Sequence, residues 1–116
     1  MTKKRKPHEI EPWYKRYPRD IYEDTRKLKP DERGLYNDCL DLIYMAGGPI
    51  TDDDRMLAHK MHVHVVLWRR IRRTLLAGGF IYRAGGKLMN KRCKEVLDER
   101  KMQLASMGRR GSDVLD

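Results

Sequence analysis

Residues 62–79 read HVHVVLWRRIRRTLLAGG, and this stretch predicts an amphipathic helix. Its apolar side chains recur three and four residues apart, so they share one helical face. These are Val65, Trp68, Ile71 and Leu75, with Val66, Leu67 and Leu76 widening the stripe. On the opposite side stand Arg69, Arg72 and Arg73, with Arg70 on the flank. Because no carboxylate is near them in the sequence, we expect a cationic side that nothing neutralises.

The residues after this helix predict a tight β-hairpin. Gly78 and Gly79 supply a left-handed C-terminal stop for the helix. The following run, FIYRAGGKLM at 80–89, holds two short strand-like segments around Ala84, Gly85 and Gly86. A helix followed by such a hairpin is typical of the second half of a winged helix-turn-helix.

The residues before the arginine helix predict two further helices. Proline suits the first turn of a helix, and we place the first helix from Pro30 to Ala46. Its apolar positions cover more than half of the circumference, as in a buried central helix. Thr51 is a good N-cap for a second helix over 52–61, with Asp54 at its third position. Only a few residues separate this helix from the arginine helix, as expected of a helix-turn-helix.

The chain of 116 residues is long enough for one domain. Residues 1–12 are basic and interrupted by proline, and we expect a disordered arm. Residues 13–107 form the domain, which begins with a short aromatic strand at 13–17 and ends with a helix from Asn90 to about Ser106. Residues 108–116 lack any period and predict a disordered tail. The fold class is therefore mainly α with a small β wing, a winged helix-turn-helix.

The net charge of +9 is concentrated in one block. Residues 1–54 hold 11 Lys/Arg and 12 Asp/Glu, residues 95–116 hold 4 and 5, and residues 55–94 hold 11 and none. Such a block is typical of a nucleic-acid contact surface. Membrane binding is the competing use, but no apolar run approaches the roughly 20 residues of a spanning helix and no signal peptide is evident. We expect a cytoplasmic protein, in which Cys39 and Cys93 are reduced thiols.

The sequence gives little support to metal binding or catalysis. His59, His62 and His64 have metal-like spacing, but no cysteine or fixed carboxylate completes a site. The three aspartates at 52–54 point in different directions on a helix, so compensation of the helix dipole explains them better than a magnesium site. No catalytic triad, phosphate loop or carboxylate pair is evident. We predict a protein that is not an enzyme and binds neither metal nor cofactor.

Several short motifs in the chain are similar to one known family. They are Trp13-Tyr14-Lys15, Tyr17-Pro18, Asp20, Asp24-Thr25, Glu32-Arg33-Gly34, Tyr36, a later Leu-Leu-x-x-Gly, and Gly86-Lys87-Leu88 with Asn90 and Arg92. Together they resemble the YdaU-type family of phage and prophage domains of unknown function, over roughly residues 13–95. The resemblance implies a winged-helix domain like those of replication initiators, acting in phage DNA replication in a bacterial host cell. It carries no catalytic motif.

We predict that the protein binds DNA by inserting the arginine helix into a major groove. Arg69 and Arg73 would lie nearest the bases or phosphates, and the other cations would contact the backbone. The predicted contact residues are Arg69, Arg70, Arg72, Arg73, Arg83, Lys87, Lys91 and Arg92. The sequence does not distinguish duplex from single-stranded DNA as the ligand.

Two other functions compete with direct DNA binding. In the first alternative the protein is an adaptor that recruits a replicative helicase or loader, and its charge serves only solubility. In the second it is a transcriptional repressor, which requires a homodimer and a palindromic operator. The C-terminal helix, with Val96, Leu97, Met102 and Leu104 and few other apolar residues, offers a thin seam for such a dimer.

Overall fold

The structure, a computed structural model, describes residues 18–115 and the side-chain environments of residues 18–106. This part of the chain is mainly helical with a small antiparallel sheet, as predicted. Its elements are α1 (Pro18–Asp24), α2 (Pro30–Ala46), β1 (Ile50–Thr51), α3 (Asp54–Lys60), α4 (Val65–Ala77), β2 (Tyr82–Ala84), β3 (Lys87–Met89) and α5 (Lys91–Leu115). The finer class of winged helix stays a prediction. The predicted arm at 1–12 and strand at 13–17 lie outside the described residues.

Helix α2 is the central helix, with the bounds that the sequence predicts. Its buried side chains are Leu35, Tyr36, Cys39, Leu40, Ile43 and Tyr44. Lys29 occupies the N-cap position without a capping side chain, but Glu32 accepts the Lys29 backbone N–H at 2.8 Å. This bond satisfies the backbone N–H of the N-cap residue. In a capping box it is one half of a reciprocal pair of hydrogen bonds. Gly47 ends the helix in the left-handed conformation.

The residues between α2 and α3 depart from the prediction. Ile50 and Thr51 form β1, an edge strand that pairs antiparallel with β3, so Thr51 is not the N-cap. The cap is Asp53, whose carboxylate accepts the backbone N–H of Met56 at 3.1 Å. Helix α3 therefore begins two positions later than predicted, because Thr51 is held extended by its strand partner Lys87.

Helix α4 packs its apolar face against α2 and α3, as its spacing predicts. Trp68, Ile71 and Leu75 are each 0% exposed. Of the two glycines that end the helix, only Gly79 has a positive φ, of 77°. The hairpin β2–β3 follows, and its two-residue turn has φ values of 58° and 73° at Gly85 and Gly86. Positive φ at both central positions is the type I′ geometry that suits the strand twist, and glycine adopts it without strain.

Asn90 joins three parts of the fold through one buried side chain. Its Oδ1 accepts the backbone N–H of Cys93 at 2.9 Å and so caps α5, as predicted. Its Nδ2 donates to the Tyr36 hydroxyl of α2 at 3.1 Å and to the Phe80 carbonyl at 2.8 Å. Helix α5 then continues to Leu115, past the predicted end near Ser106. The earlier end was predicted because residues 108–116 lack an apolar period. Gly108 and Gly111 lower helix propensity there but do not forbid a helix.

The two cysteines are buried free thiols, in agreement with the prediction. Burial raises the pKa of the Cys39 thiol to about 12. Because the thiolate is the reactive form, Cys39 is an inert part of the core.

The first prediction concerns the orientation of α4. Replacing Trp68 by alanine should lower the free energy of unfolding by about 3–5 kcal/mol, because a fully buried large aromatic leaves a cavity. Chemical denaturation measures this loss. Val66, on the exposed side of the same helix, supplies the control, and Val66→Ala should change the value by less than about 0.5 kcal/mol. Similar losses in the two variants would show that α4 faces the core differently.

Candidate nucleic-acid interface

The exposed side of α4 carries the residues that the sequence predicts to bind DNA. Arg69, Arg70 and Arg73 are exposed and Arg72 is half-buried. They share this surface with Val66, an apolar side chain that is 63% exposed near the start of the helix. The periodicity of α4 produces this surface, since the positions between these residues are held in the core.

Folding brings carboxylates to these arginines, which corrects the expectation of an uncompensated cationic side. Arg69 Nε donates to Asp54 Oδ2 at 3.2 Å, and Arg70 Nη2 donates to Asp31 Oδ2 at 2.9 Å. Asp54 lies at the start of α3 and Asp31 at the start of α2. The block 55–94 is free of acid in sequence, but the carboxylates that pair with the arginines of α4 come from residues 31–54.

Asp52 is the most buried of the carboxylates that face α4. Its side chain is 4% exposed and accepts hydrogen bonds from Arg72, including one from Nε at 2.9 Å, and from Arg83 Nε at 2.7 Å. The Asp52 backbone N–H also donates to the Gly86 carbonyl at 3.0 Å. The hydrogen bond from Arg72, assisted by the one from Arg83, holds the pKa of Asp52 below its ordinary value. One carboxylate thus ties α4 to the hairpin.

Arg73 differs from its neighbours on α4. It is exposed, and within the described residues no carboxylate forms an ion pair with it. A guanidinium of this kind keeps its full positive charge available to a ligand. Of the four predicted arginines of α4, Arg73 is therefore the one that can accept an anionic ligand without first leaving a partner.

Of the four predicted residues outside α4, Lys87, Lys91 and Arg92 lie apart from this surface. Arg83 and Leu88 are paired across the hairpin and point to one side of the sheet, so Lys87, next to Leu88, points to the other. Lys91 and Arg92 lie at the start of α5 and line a cleft with residues of α1. Arg92 also forms an ion pair with Asp20 of α1 at 2.6 Å. The structure therefore brings five of the eight predicted residues together, namely Arg69, Arg70, Arg72, Arg73 and Arg83.

The aspartates that surround α4 were not predicted from the sequence to lie there. Asp52 was assigned to the first turn of a helix, yet it precedes α3 and binds two arginines. The partners are separated by 15 to 39 residues along the chain, and no local pattern in the sequence reports such pairs. The exposed Val66 was likewise placed in the apolar stripe.

Two of the histidines lie in the connection between α3 and α4. His64 is the N-cap of α4, and its Nδ1 accepts the backbone N–H of Val66 at 3.1 Å. His62 has a φ of 57° in the turn between α3 and α4. Within residues 18–115, no three His, Cys, Asp or Glu side chains are grouped so that they could hold a metal ion.

Comparison with known families adds one finding. The family model of DUF1376, described as a protein of unknown function, matches residues 12–98. The chain belongs to the DUF1376 family. The match covers α1 to β3 and the first part of α5, and thus includes the whole α4 surface. Neither the curated proteins nor the solved structures contain a significant match. No helix in the part of the chain that the structure describes has the length and apolar character to cross a membrane.

The second prediction is the acid sensitivity that Asp52 confers. Because its folded pKa is lowered, its contribution is complete above the unfolded value of about 3.9 and is lost as pH falls through the folded pKa. The free energy of unfolding should therefore decline below about pH 4. Asp52→Asn should lower stability at pH 7 by about 1–3 kcal/mol, because Arg72 loses its charged acceptor, and should flatten this decline.

Urea denaturation across a pH series measures both effects. Asp98→Asn removes the same charge from an exposed pair with Lys94 on α5, and serves as the matched control. An Asp52→Asn variant that is as stable as the Asp98→Asn variant at pH 7 would show that Asp52 does not hold α4 to the hairpin.

Proposed function

We propose that this DUF1376 protein binds DNA through the exposed side of α4, as a winged helix-turn-helix. In this proposal α3 and α4 form the helix-turn-helix, joined by residues 61–64, and the β2–β3 hairpin is the wing. The observation that carries the proposal is the position of Arg73, exposed and unpaired within the described residues, between Arg69 and Arg70 on one side and the end of α4 on the other.

The structure narrows the set of residues proposed to contact DNA. Arg72 and Arg83 share the buried Asp52, so their role is to position the wing against α4. Arg69, Arg70 and Arg73 are the proposed phosphate contacts, because guanidinium groups bind phosphate oxygens strongly. Val66 is apolar and exposed at the start of the helix, where a recognition helix meets base edges, and it suits contact with a thymine methyl group.

A role in phage DNA replication belongs to the proposal on the strength of the resemblance to YdaU-type prophage domains. The residues of that resemblance that lie in the described part of the chain include Tyr36 and Asn90, which are hydrogen-bonded to each other in the core. They support a shared fold more directly than a shared activity. The adaptor function and the repressor function remain the alternatives.

The third prediction tests α4 as the DNA-binding element. Replacing Arg69, Arg70 and Arg73 together by alanine should weaken the dependence of log affinity on log salt by about 2–3 units for duplex DNA, since each lost phosphate contact accounts for about 0.9. Arg72 is left in place because its removal would leave the buried Asp52 without its main partner. Fluorescence anisotropy with labelled duplex and single-stranded DNA at several salt concentrations measures the slope.

A matched control removes the same charge elsewhere. Lys27, Lys94 and Lys101 are exposed lysines outside α4 and the hairpin, and their triple alanine variant should leave the slope almost unchanged. Equal slopes for the wild type and a folded α4 variant would exclude α4 as the contact and favour the adaptor function. A stoichiometry of two chains on a palindromic duplex would favour the repressor.

A further inference from the structure

We infer that Asp31 and Asp54 compete with DNA phosphate for Arg70 and Arg69, and so lower the affinity of the protein for DNA that offers phosphate contacts alone. This inference rests on the proposed function, because it concerns the same side of α4. Two acidic residues would thus take part in selecting DNA, whereas only basic residues were predicted from the sequence to contact it.

The two ion pairs have the geometry of an exchangeable contact. The side chains of Arg69 and Arg70 are 51% and 57% exposed while they are paired. Their partners Asp54 and Asp31 are themselves reached by solvent, at 28% and 44%. An exposed ion pair contributes little to stability, so a stronger anion can displace the carboxylate at small cost to the fold.

Asp52 provides the contrast. Its carboxylate is 4% exposed and receives hydrogen bonds from both Arg72 and Arg83. Removing either partner from a buried charge is costly, so this cluster resists exchange with phosphate. Of the carboxylates around α4, Asp52 is thus structural and Asp31 is exchangeable. Asp54 is intermediate, since its Oδ2 accepts from the exposed Arg69 and its Oδ1 lies 3.7 Å from Arg72 Nε.

The chemistry of exchange explains the selection. Carboxylate and phosphate oxygens both accept hydrogen bonds from guanidinium, so each of these arginines must give up one anion to bind the other. A duplex that presents only phosphates gains less from Arg69 and Arg70 than from the unpaired Arg73. Contacts to base edges, such as the proposed contact between Val66 and a thymine methyl group, do not compete with a carboxylate. The competition therefore lowers backbone-only binding relative to sequence-dependent binding.

The test uses the full chain and a fluorescein-labelled, mixed-sequence DNA duplex. Asp54→Asn and Asp31→Asn should each raise affinity about 2- to 5-fold at low salt, the range that corresponds to one exposed ion pair. Asp98→Asn, which removes the same charge from the exposed pair on α5, should leave affinity nearly unchanged. Circular dichroism melts show that each variant is folded.

Double-mutant cycles separate competition from simple repulsion between aspartate and DNA. In an Arg70→Ala background the gain from Asp31→Asn should vanish. In an Arg69→Ala background the gain from Asp54→Asn should fall but not vanish, because Asp54 Oδ1 also lies 3.7 Å from Arg72 Nε. A gain from Asp31→Asn that persists without Arg70, an undiminished gain from Asp54→Asn without Arg69, or no gain at all would overturn the inference while leaving DNA binding intact.

The variants differ in their risk to the fold. Asp31 also accepts the backbone N–H of Glu32 through Oδ1 at 2.9 Å, and asparagine keeps that acceptor, so the Asp31 cycle decides the matter if Asp54→Asn unfolds. If the wild-type protein binds neither duplex nor single-stranded DNA at low salt, the proposed function itself fails, and the inference fails with it.

Discussion

A buried carboxylate needs positively charged partners, and this requirement at Asp52 fixes how α4 and the hairpin lie together. Two arginines from different elements meet on this side chain, and its own backbone N–H bonds to the hairpin turn. Burying an unpaired charge is far more costly than burying a paired one, so the burial of Asp52 favours the packing of both arginines against it. The apolar face of α4 determines how the helix packs against the core, and Asp52 holds the β2–β3 hairpin beside α4.

Much of the helical fold follows from local patterns. Helix α2 has the predicted bounds because a proline and two acids favour its start and Gly47 adopts the left-handed conformation at its end. The hairpin turn is equally local, since two successive glycines suit its geometry. Asn90 was predicted to cap α5 because asparagine is a favoured N-cap residue and stands just before the helical pattern. In each case the stabilising contact lies within a few residues of the pattern that predicts it.

The features that escaped prediction depend on contacts between distant residues. Strand β1 has two residues, too few for any alternation, and exists only because β3 lies beside it. That pairing in turn moved the N-cap of α3 from Thr51 to Asp53. The candidate site was predicted in part: the arginines of α4 do lie on one surface, but Lys87 and Lys91 lie elsewhere. An inventory of charges along the chain identifies which residues are basic, and only the fold reveals which carboxylates stand against them.

The ion pairs around α4 also change what a distant anion experiences. A cation and an anion at contact distance form a small dipole, whose field decays faster with distance than that of a single charge, and salt shortens its reach further. At low salt, where the Debye length reaches about 30 Å, a distant polyanion therefore responds to the overall charge of +9 and to the unpaired cations, and not to a concentrated patch of +11. Association with DNA, the proposed ligand, should accordingly be slower than the charge block suggests. The close-range contacts of α4 would then govern the dissociation rate of the complex more than its association rate.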